Sequence, residues 1–273
     1  MQGINLGLLH NRLGPSIFST NIVFHETLKS TNSLAKDLAA QAAPEGTLVL
    51  AEEQTTGRGR MGRQWLSPRY SNLLFSLLLR PRMKAEEVFV LTLVLALAAV
   101  DGVEAVSGLS ISIKWPNDLY IGENKLGGIL TEFSVKGQWV EYVVLGLGVN
   151  VNWSPEHSRA ILYPSTSILA ETGIKISRTD FLVEILKTFE SYYHKVVSGE
   201  LDEFYERWNQ RSMILGNQVE IQTADGRIHG KASRIDNHGA LIILDEHGQE
   251  HRVLCGDVSV RLWGKASLTP RGR

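Results

Sequence analysis

Between Val88 and Val100 the chain reads "VFVLTLVLALAAV" without a single charge, and Glu86, Glu87 and Asp101 close the run on either side. The run falls short of the roughly 20 apolar residues that span a bilayer, so it reads as a helix buried in a core. A chain of 273 residues, 43% hydrophobic and 21% charged, can build that core and divide into one large domain and one small one. With 28 Lys+Arg against 29 Asp+Glu the formal net charge is -1, which excludes the global basic field of a general nucleic-acid binder. Any cationic site is therefore local. The single cysteine, Cys255, excludes an intrachain disulfide framework and a cysteine-built zinc cluster. It is expected to be an ordinary buried thiol. The opening "MQGINLGLLHNRLGPSIF" lacks the basic start and long apolar core of an export signal and reads as a leader into the fold, so the expected location is the cytoplasm.

Around the core helix the pattern changes repeatedly. "KSTNSLAKDLAAQAAPEG" places Ser, Thr and Asn ahead of the Leu34/Leu38 pair and stops at Pro44 and Gly46, which predicts a capped helix. "TLVLAEEQ" and "SNLLFSLLLR" have strand length and flank a loop. In "GLSISIKWPNDLY", Leu109, Ile111, Ile113 and Trp115 alternate with Ser110, Ser112 and Lys114, the period-2 pattern of a half-buried strand. "KLGGILTEF" and "WVEYVVLGLGVNVN" continue as strands joined at Lys136 and Gly137, so the pairing is expected to be antiparallel. Two helical stretches follow, "RTDFLVEILKTFESYYHKVV" and "LDEFYERWNQRS". Beyond Gly216, short β-rich segments punctuated by Asp225-Gly226, His238-Gly239 and His247-Gly248 predict a small β-barrel. The expected fold class is α+β, a largely antiparallel mixed sheet flanked by helices in residues 1–215, with the barrel in residues 216–273.

The loop between the first two strands reads "GRGRMGRQW", with Arg58, Arg60 and Arg63 set among Gly57, Gly59 and Gly62. It satisfies the G-x-G-x-x-G spacing of a dinucleotide fold, but "RQWLSPRYSN" is a poor helix start and Arg80 and Arg82 stand where a ribose-binding acid belongs. A kinase glycine loop fails because no catalytic-loop motif follows. As an isolated motif the stretch is as readily a solvated turn. Glycine, however, permits close approach, and each arginine can fork two hydrogen bonds onto a carboxylate or phosphate at about 1.5 to 3 kcal/mol per bond to a charged group. Trp65 offers a flat face to a purine or, equally, a hydrophobic anchor. A second cluster, "KWPNDLYIGENKLGG", brings Lys114, Asp118, Lys125, Gly127 and Gly128 into one hairpin. Singly these are surface lysines, a turn carboxylate and a bulge. Together with the arginine loop they describe an anion-activating site.

In this order and at these intervals, "STN", "AEEQTTGRGRMGRQW", "KWPNDLY", "KLGGILTE", "GLGVNVN" and the C-terminal "GALIILDEHGQEHRVLCGDVSV" resemble the biotin protein ligases from about His25 to Arg261. The resemblance implies a class II synthetase-like catalytic domain with an SH3-like C-terminal barrel. It implies that biotin and ATP, with Mg²⁺, form biotinyl-5'-adenylate, which a lysine of a carboxylase's biotin carrier domain then attacks. By the same resemblance Arg58 and Lys125 stabilise the reacting anions, Asp118 serves the acceptor amine, and Ser30, Thr31, Asn32, Gln54, Gly57, Arg58, Arg60, Lys125 and Gly128 bind biotin. Arg60, Arg63, Trp65, Lys114 and Asn150 would hold ATP, and no protein metal motif is implied. Met61 replaces an arginine found in some members, and Glu53 a tyrosine. The "STN" at Ser30 leaves too little chain ahead of it for the DNA-binding module of repressor members, so no operator binding is expected. A homodimer through an edge of the "KLGGILTEF" hairpin is compatible with the family. The alternatives are a lipoate or octanoate ligase, and a non-catalytic nucleotide- or RNA-binding module, which the near-zero charge disfavours.

Overall fold

In a computed structural model of the protein, which describes residues 3–154, 164–223, 226–254 and 259–262, the apolar run begins a helix that continues to Ser107. With the 3₁₀ turn before it, the segment Ala85–Ser107 is long and apolar enough by length and composition to cross a membrane, which the run to Val100 alone was not. Its side chains are spent on the interior: Leu91, Leu93, Val94, Leu95, Val100 and Val103 are fully buried.

The chain order is α1 (Leu6–Leu13), β1 (Ile22–Leu28), α2 (Thr31–Ala40), β2 (Thr47–Gln54), β3 (Leu73–Leu79), α3 (Phe89–Ser107), β4 (Ser112–Lys114), β5 (Asp118–Ile121), β6 (Asn124–Lys136) and β7 (Trp139–Val149). Then follow α4 (Ile168–Thr172), α5 (Arg178–Ser198) and α6 (Asp202–Arg211), and a second group of strands, β8 (Gln218–Thr223), β9 (Gly226–Ile235), β10 (Leu241–Leu244), β11 (Glu250–Val253) and β12 (Ser259–Leu262). The first sheet has 7 strands in the order β1-β2-β3-β7-β6-β5-β4, and the second has 5 in the order β11-β10-β9-β8-β12. The fold is α+β with a C-terminal SH3-like sheet, as expected. Among the described residues the named strands pair antiparallel except β1 with β2. That exception follows from α2, a crossover helix between them, whose start Ser30 caps by accepting from the Ser33 amide.

One face of the large sheet packs on α3 and α5, burying Leu48, Phe75, Leu77, Val143 and Leu145. The opposite face meets α2 through Ala35, Ala39, Val49, Leu78 and Val144 at one end only. The site lies on the remainder of that face. Helices α1 and α4 and strand β1 were not read from the sequence; α1 and α4 are short, and β1 carries His25, Glu26 and Thr27 on an exposed outer strand. Strand β4 keeps only Ser112–Lys114 of the longer expected strand. The β6/β7 hairpin is central rather than at an edge, because β7 lies between β3 and β6. Pairing with β5 stops at Gly128, and Phe133, Val135 and Trp139 beyond it are exposed. The turns at Gly137, Gly239 and Gly248 have positive φ, as expected. Asp225 and Cys255 lie outside the described residues.

Arg178 on α5 is buried against Glu52 on β2, its Nη1 2.6 Å from Oε2 and 2.9 Å from the Asn72 carbonyl, while the Ile4 amide donates to Glu52 Oε1 at 2.6 Å. Removing one partner leaves an uncompensated charge. Arg178→Met is expected to lower the unfolding free energy by about 3–5 kcal/mol, visible as a lower urea midpoint at unchanged slope.

Candidate active site

The "STN" residues open α2 at the floor of the site. Thr31 donates from its amide to Gln54 Oε1 at 2.7 Å and from Oγ1 to the same oxygen at 3.1 Å, tying α2 to the end of β2. Asn32 Oδ1 accepts from Ser76 Oγ at 2.6 Å, while its Nδ2 donates to the Leu130 carbonyl and to Glu132 Oε2, both at 3.0 Å. All three residues are buried. This packing requires Gly146, because a Cβ there would fall on the Asn32 carboxamide.

The arginine loop closes into a tight hairpin. The Gly59 amide donates to the Arg63 carbonyl at 2.7 Å and the Trp65 amide to that of Gly57 at 2.9 Å, with Met61 and Gly62 at positive φ in the turn. Two arginines reach different strands. Arg58 Nη2 lies 3.3 Å from Glu132 Oε1 on β6, and Arg60 Nη1 donates to Asn117 Oδ1 at 3.2 Å in the β4/β5 turn. Trp65 lies over β7: a Cβ on Gly148 would come within 2.8 Å of its ring. The buried Trp65 Nε1 has no hydrogen-bond partner among the described residues and lies against the β7 backbone at Gly148.

On the third wall Lys125 Nζ forms a 2.7 Å ion pair with Asp118 and sits 5.8 Å from the centroid of the Trp65 ring. Gly128 makes room for both; a Cβ there would come within 3.0 Å of Asp118 Oδ1 and 3.4 Å of Lys125 Nζ. Asp118 opens β5 rather than a turn, and its partner is Lys125. Lys114 lies 5.6 Å over the Tyr120 ring. Burial and the nearby Asp118 charge push the Tyr120 phenol upward against the opposing pull of Arg63, so it stays neutral. Asn150 at the end of β7 is buried, accepts from Asn72 Nδ2 at 3.2 Å and donates to the Thr166 carbonyl at 3.0 Å.

Ser30, Thr31, Asn32, Gln54, Gly57, Arg58, Arg60, Trp65, Asp118, Lys125 and Gly128 thus surround one glycine-cleared face, with Arg63 and Lys114 near Tyr120 on its β5 side. Lys36, Ser76, Asn117 and Glu132 join them and were not singled out from sequence. Glu132 stands inside the quoted "KLGGILTEF", and Asn117 inside "KWPNDLY". Lys36 and Ser76 carry no local signal because the fold alone brings them in. Lys36 Nζ lies 2.6 Å from Glu132 Oε1. Burial pushes the Glu132 carboxyl upward, but hydrogen bonds from Lys36 and Asn32 and the charges of Arg58 and Lys36 outweigh it, and the net shift is downward. Among the described residues no group of three or more His, Cys, Asp or Glu could hold a metal ion.

A model described as the Biotin/lipoate A/B protein ligase family matches residues 24–150, and one described as the Biotin protein ligase C terminal domain matches residues 214–261. A Bacillus subtilis protein named bifunctional ligase/repressor BirA is 36% identical over 86% of this chain and 73% of its own length. The chain belongs to the biotin protein ligases. This ligase is also 33% identical to the Paracoccus denitrificans biotin–[acetyl-CoA-carboxylase] ligase, over 81% of its own length and 93% of that protein. A solved structure of the Aquifex aeolicus biotin protein ligase in complex with biotin and ATP superposes with a TM-score of 0.76 at 31% identity, covering 89% of this chain and 99% of the other.

In the biotin ligase the lowered Glu132 carboxyl couples site structure to pH. Its stabilising contribution is complete above the ordinary carboxylate range and is lost as pH falls through the native value. Glu132→Gln is expected to melt earlier than the parent near neutral pH, and the difference should shrink in acid. Melting temperature against pH for both proteins checks this.

Proposed function

We propose that the enzyme joins the carboxylate of biotin to the α-phosphate of Mg²⁺-bound ATP, releasing pyrophosphate, and passes the biotinyl group from the resulting adenylate to a lysine amine of a carboxylase's biotin carrier domain, releasing AMP. The observation that carries this reading is that Arg58, Lys125 and the Trp65 ring meet at the face cleared by Gly128, Gly146 and Gly148. The names of the Paracoccus relative and of the Aquifex complex support the substrates.

The chemistry follows from charge. A carboxylate and a triphosphate repel, so the barrier falls when fixed cations are already in place as negative charge gathers on the phosphate oxygens. In this reading the pocket beside the "STN" end of α2 takes the biotin ring, and Arg58 and Lys125 draw the two anions together. Trp65 packs along the adenine, while Arg60, Arg63 and Lys114 meet the phosphates. Mg²⁺ belongs to the substrate, held by phosphate oxygens and water.

Asp118 fits the second step. Lys125 neutralises it at 2.7 Å. When Lys125 turns to the phosphate, the carboxylate is released to orient the incoming amine and take its proton. The enzyme is further read as acting in the cytoplasm without operator DNA.

Incubation with ATP, Mg²⁺ and labelled biotin is expected to yield the labelled adenylate, then labelled carrier domain; lipoate in place of biotin should give neither. Arg58→Ala should slow adenylate formation by roughly 10²–10³-fold, the usual scale for losing one pre-placed charge donor. Asp118→Asn should form adenylate at the parental rate and transfer it slowly. Parental transfer by that variant removes the role of Asp118.

A further inference from the structure

Glu132 lies outside the groups that touch the reactants in the reading above, yet three side chains, two from α2 and one from the arginine loop, converge on its carboxylate. Its side chain is 19% exposed. Oε2 accepts from Asn32 at 3.0 Å, Oε1 accepts from Lys36 at 2.6 Å, and Arg58 approaches the same Oε1 at 3.3 Å. The distances rank the partners. Lys36 and Asn32, both on α2, hold the carboxylate closely, whereas the half-exposed Arg58 rests on it at the long end of an ion pair.

That ranking has a chemical consequence. A long arginine side chain carries about 2 kcal/mol of rotamer entropy, so an arginine that must meet an anion in one geometry gains from a prior resting place. A tight partner would compete with the substrate. A loose one would not, provided its own charge stays compensated when the arginine leaves, and the Lys36 ammonium at 2.6 Å supplies that compensation. Leu130 and Val144, neighbours of Glu132 along β6 and across the β6/β7 pair, are apolar, and Ser134 on its other side along β6 donates to Glu141 Oε2 at 3.1 Å.

We infer that Glu132 is a positioning residue that holds the Arg58 guanidinium at the pocket wall in the free enzyme and releases it to the reacting anions, while Lys36 keeps the carboxylate neutralised. The inference rests on the ligase reading, and the two fail separately. If the parent protein makes no labelled adenylate from biotin and ATP, the ligase reading fails; if the parent does and the variants below behave as parent, this inference alone fails.

The test is a double-mutant cycle between Glu132→Gln and Arg58→Ala, read as kcat/KM for adenylate formation with biotin varied. Glu132→Gln is expected to lower kcat/KM by about tenfold, chiefly through KM for biotin, and to have no further effect in the Arg58→Ala background. Transfer from pre-formed biotinyl-adenylate to carrier should stay within about twofold of the parent, since no acyl phosphate is then being formed. Equal effects of Glu132→Gln in both backgrounds would mean that Glu132 only braces α2 against β6, and would overturn the inference. Should Glu132→Gln fail to fold, Lys36→Met replaces it. With its compensating charge gone, the carboxylate should retain Arg58 more firmly and raise KM for biotin, an effect that must again vanish with Arg58→Ala; persistence of that effect overturns the proposal equally.

Discussion

The face of β6 and β7 that carries the site is nearly bare of side chains where Gly128 pairs with Gly148 and Leu130 with Gly146, and Asn32, Trp65, Asp118 and Lys125 depend on that clearance. The Asn32 carboxamide occupies the space over Gly146, the Trp65 ring that over Gly148, and the Asp118–Lys125 pair that beside Gly128. Glycine within a strand costs roughly 0.5–1 kcal/mol relative to alanine. Central strands can bear that cost because their other face is filled: β7 is paired on both sides, and Val143, Leu145, Leu147 and Val149 join the α3/α5 core. The apolar helix that constrained the sequence so strongly is thus the support that lets the opposite face be stripped.

Charge is arranged on that floor by matching each acid to a cation before any substrate arrives. Glu132 is met by Lys36 and Arg58, and Asp118 by Lys125. Such pairs add little net stability where they are partly exposed, since desolvation and side-chain entropy offset the Coulomb gain. Their effect is geometric. They hold cations that would otherwise sweep through solvent at positions where two anions must meet, and because the acids are partly buried the cations stay put without being irreversibly neutralised.

Much of this arrangement was legible in the residues. The capped helix at Ser30, the strands on either side of the arginine loop, the β6/β7 hairpin and the long helices α3, α5 and α6 all follow from period and punctuation. What escaped was set by tertiary context. Strand β1 carries polar residues on an outer position and has no alternation to announce it, and α1 and α4 are too short for a period to register. The partners that hold Asn150, Asn72 and the Thr166 carbonyl, likewise come from other segments and have no signal in its own motif. Lys36 was indistinguishable from any helical surface lysine until β6 brought Glu132 beneath it. Pattern reports which face of an element is apolar; it does not report what a distant element places opposite a polar one.

The "KWPND" stretch shows how one short edge element can serve both the site and the C-terminal sheet. Strand β4 has three residues and is paired within its sheet only to β5, a poor anchor for catalytic groups. Its alternation points Lys114 toward the site side, and the buried Trp115 the other way, where Nε1 donates to the Gly239 carbonyl at 3.0 Å. The Ile113 carbonyl accepts from the Met213 amide at 3.0 Å, on the segment leading into the second sheet. Gly239 lies against the Phe89 ring so closely that any side chain there would strike it. The SH3-like sheet therefore grips the edge hairpin from behind through a tryptophan and a backbone bridge, while Lys114 and Asp118 extend from the same hairpin toward the arginine loop. A small domain that supplies none of the site residues named here nevertheless limits how far that hairpin can drift, because displacing β4 would break a buried indole hydrogen bond that no solvent is present to replace.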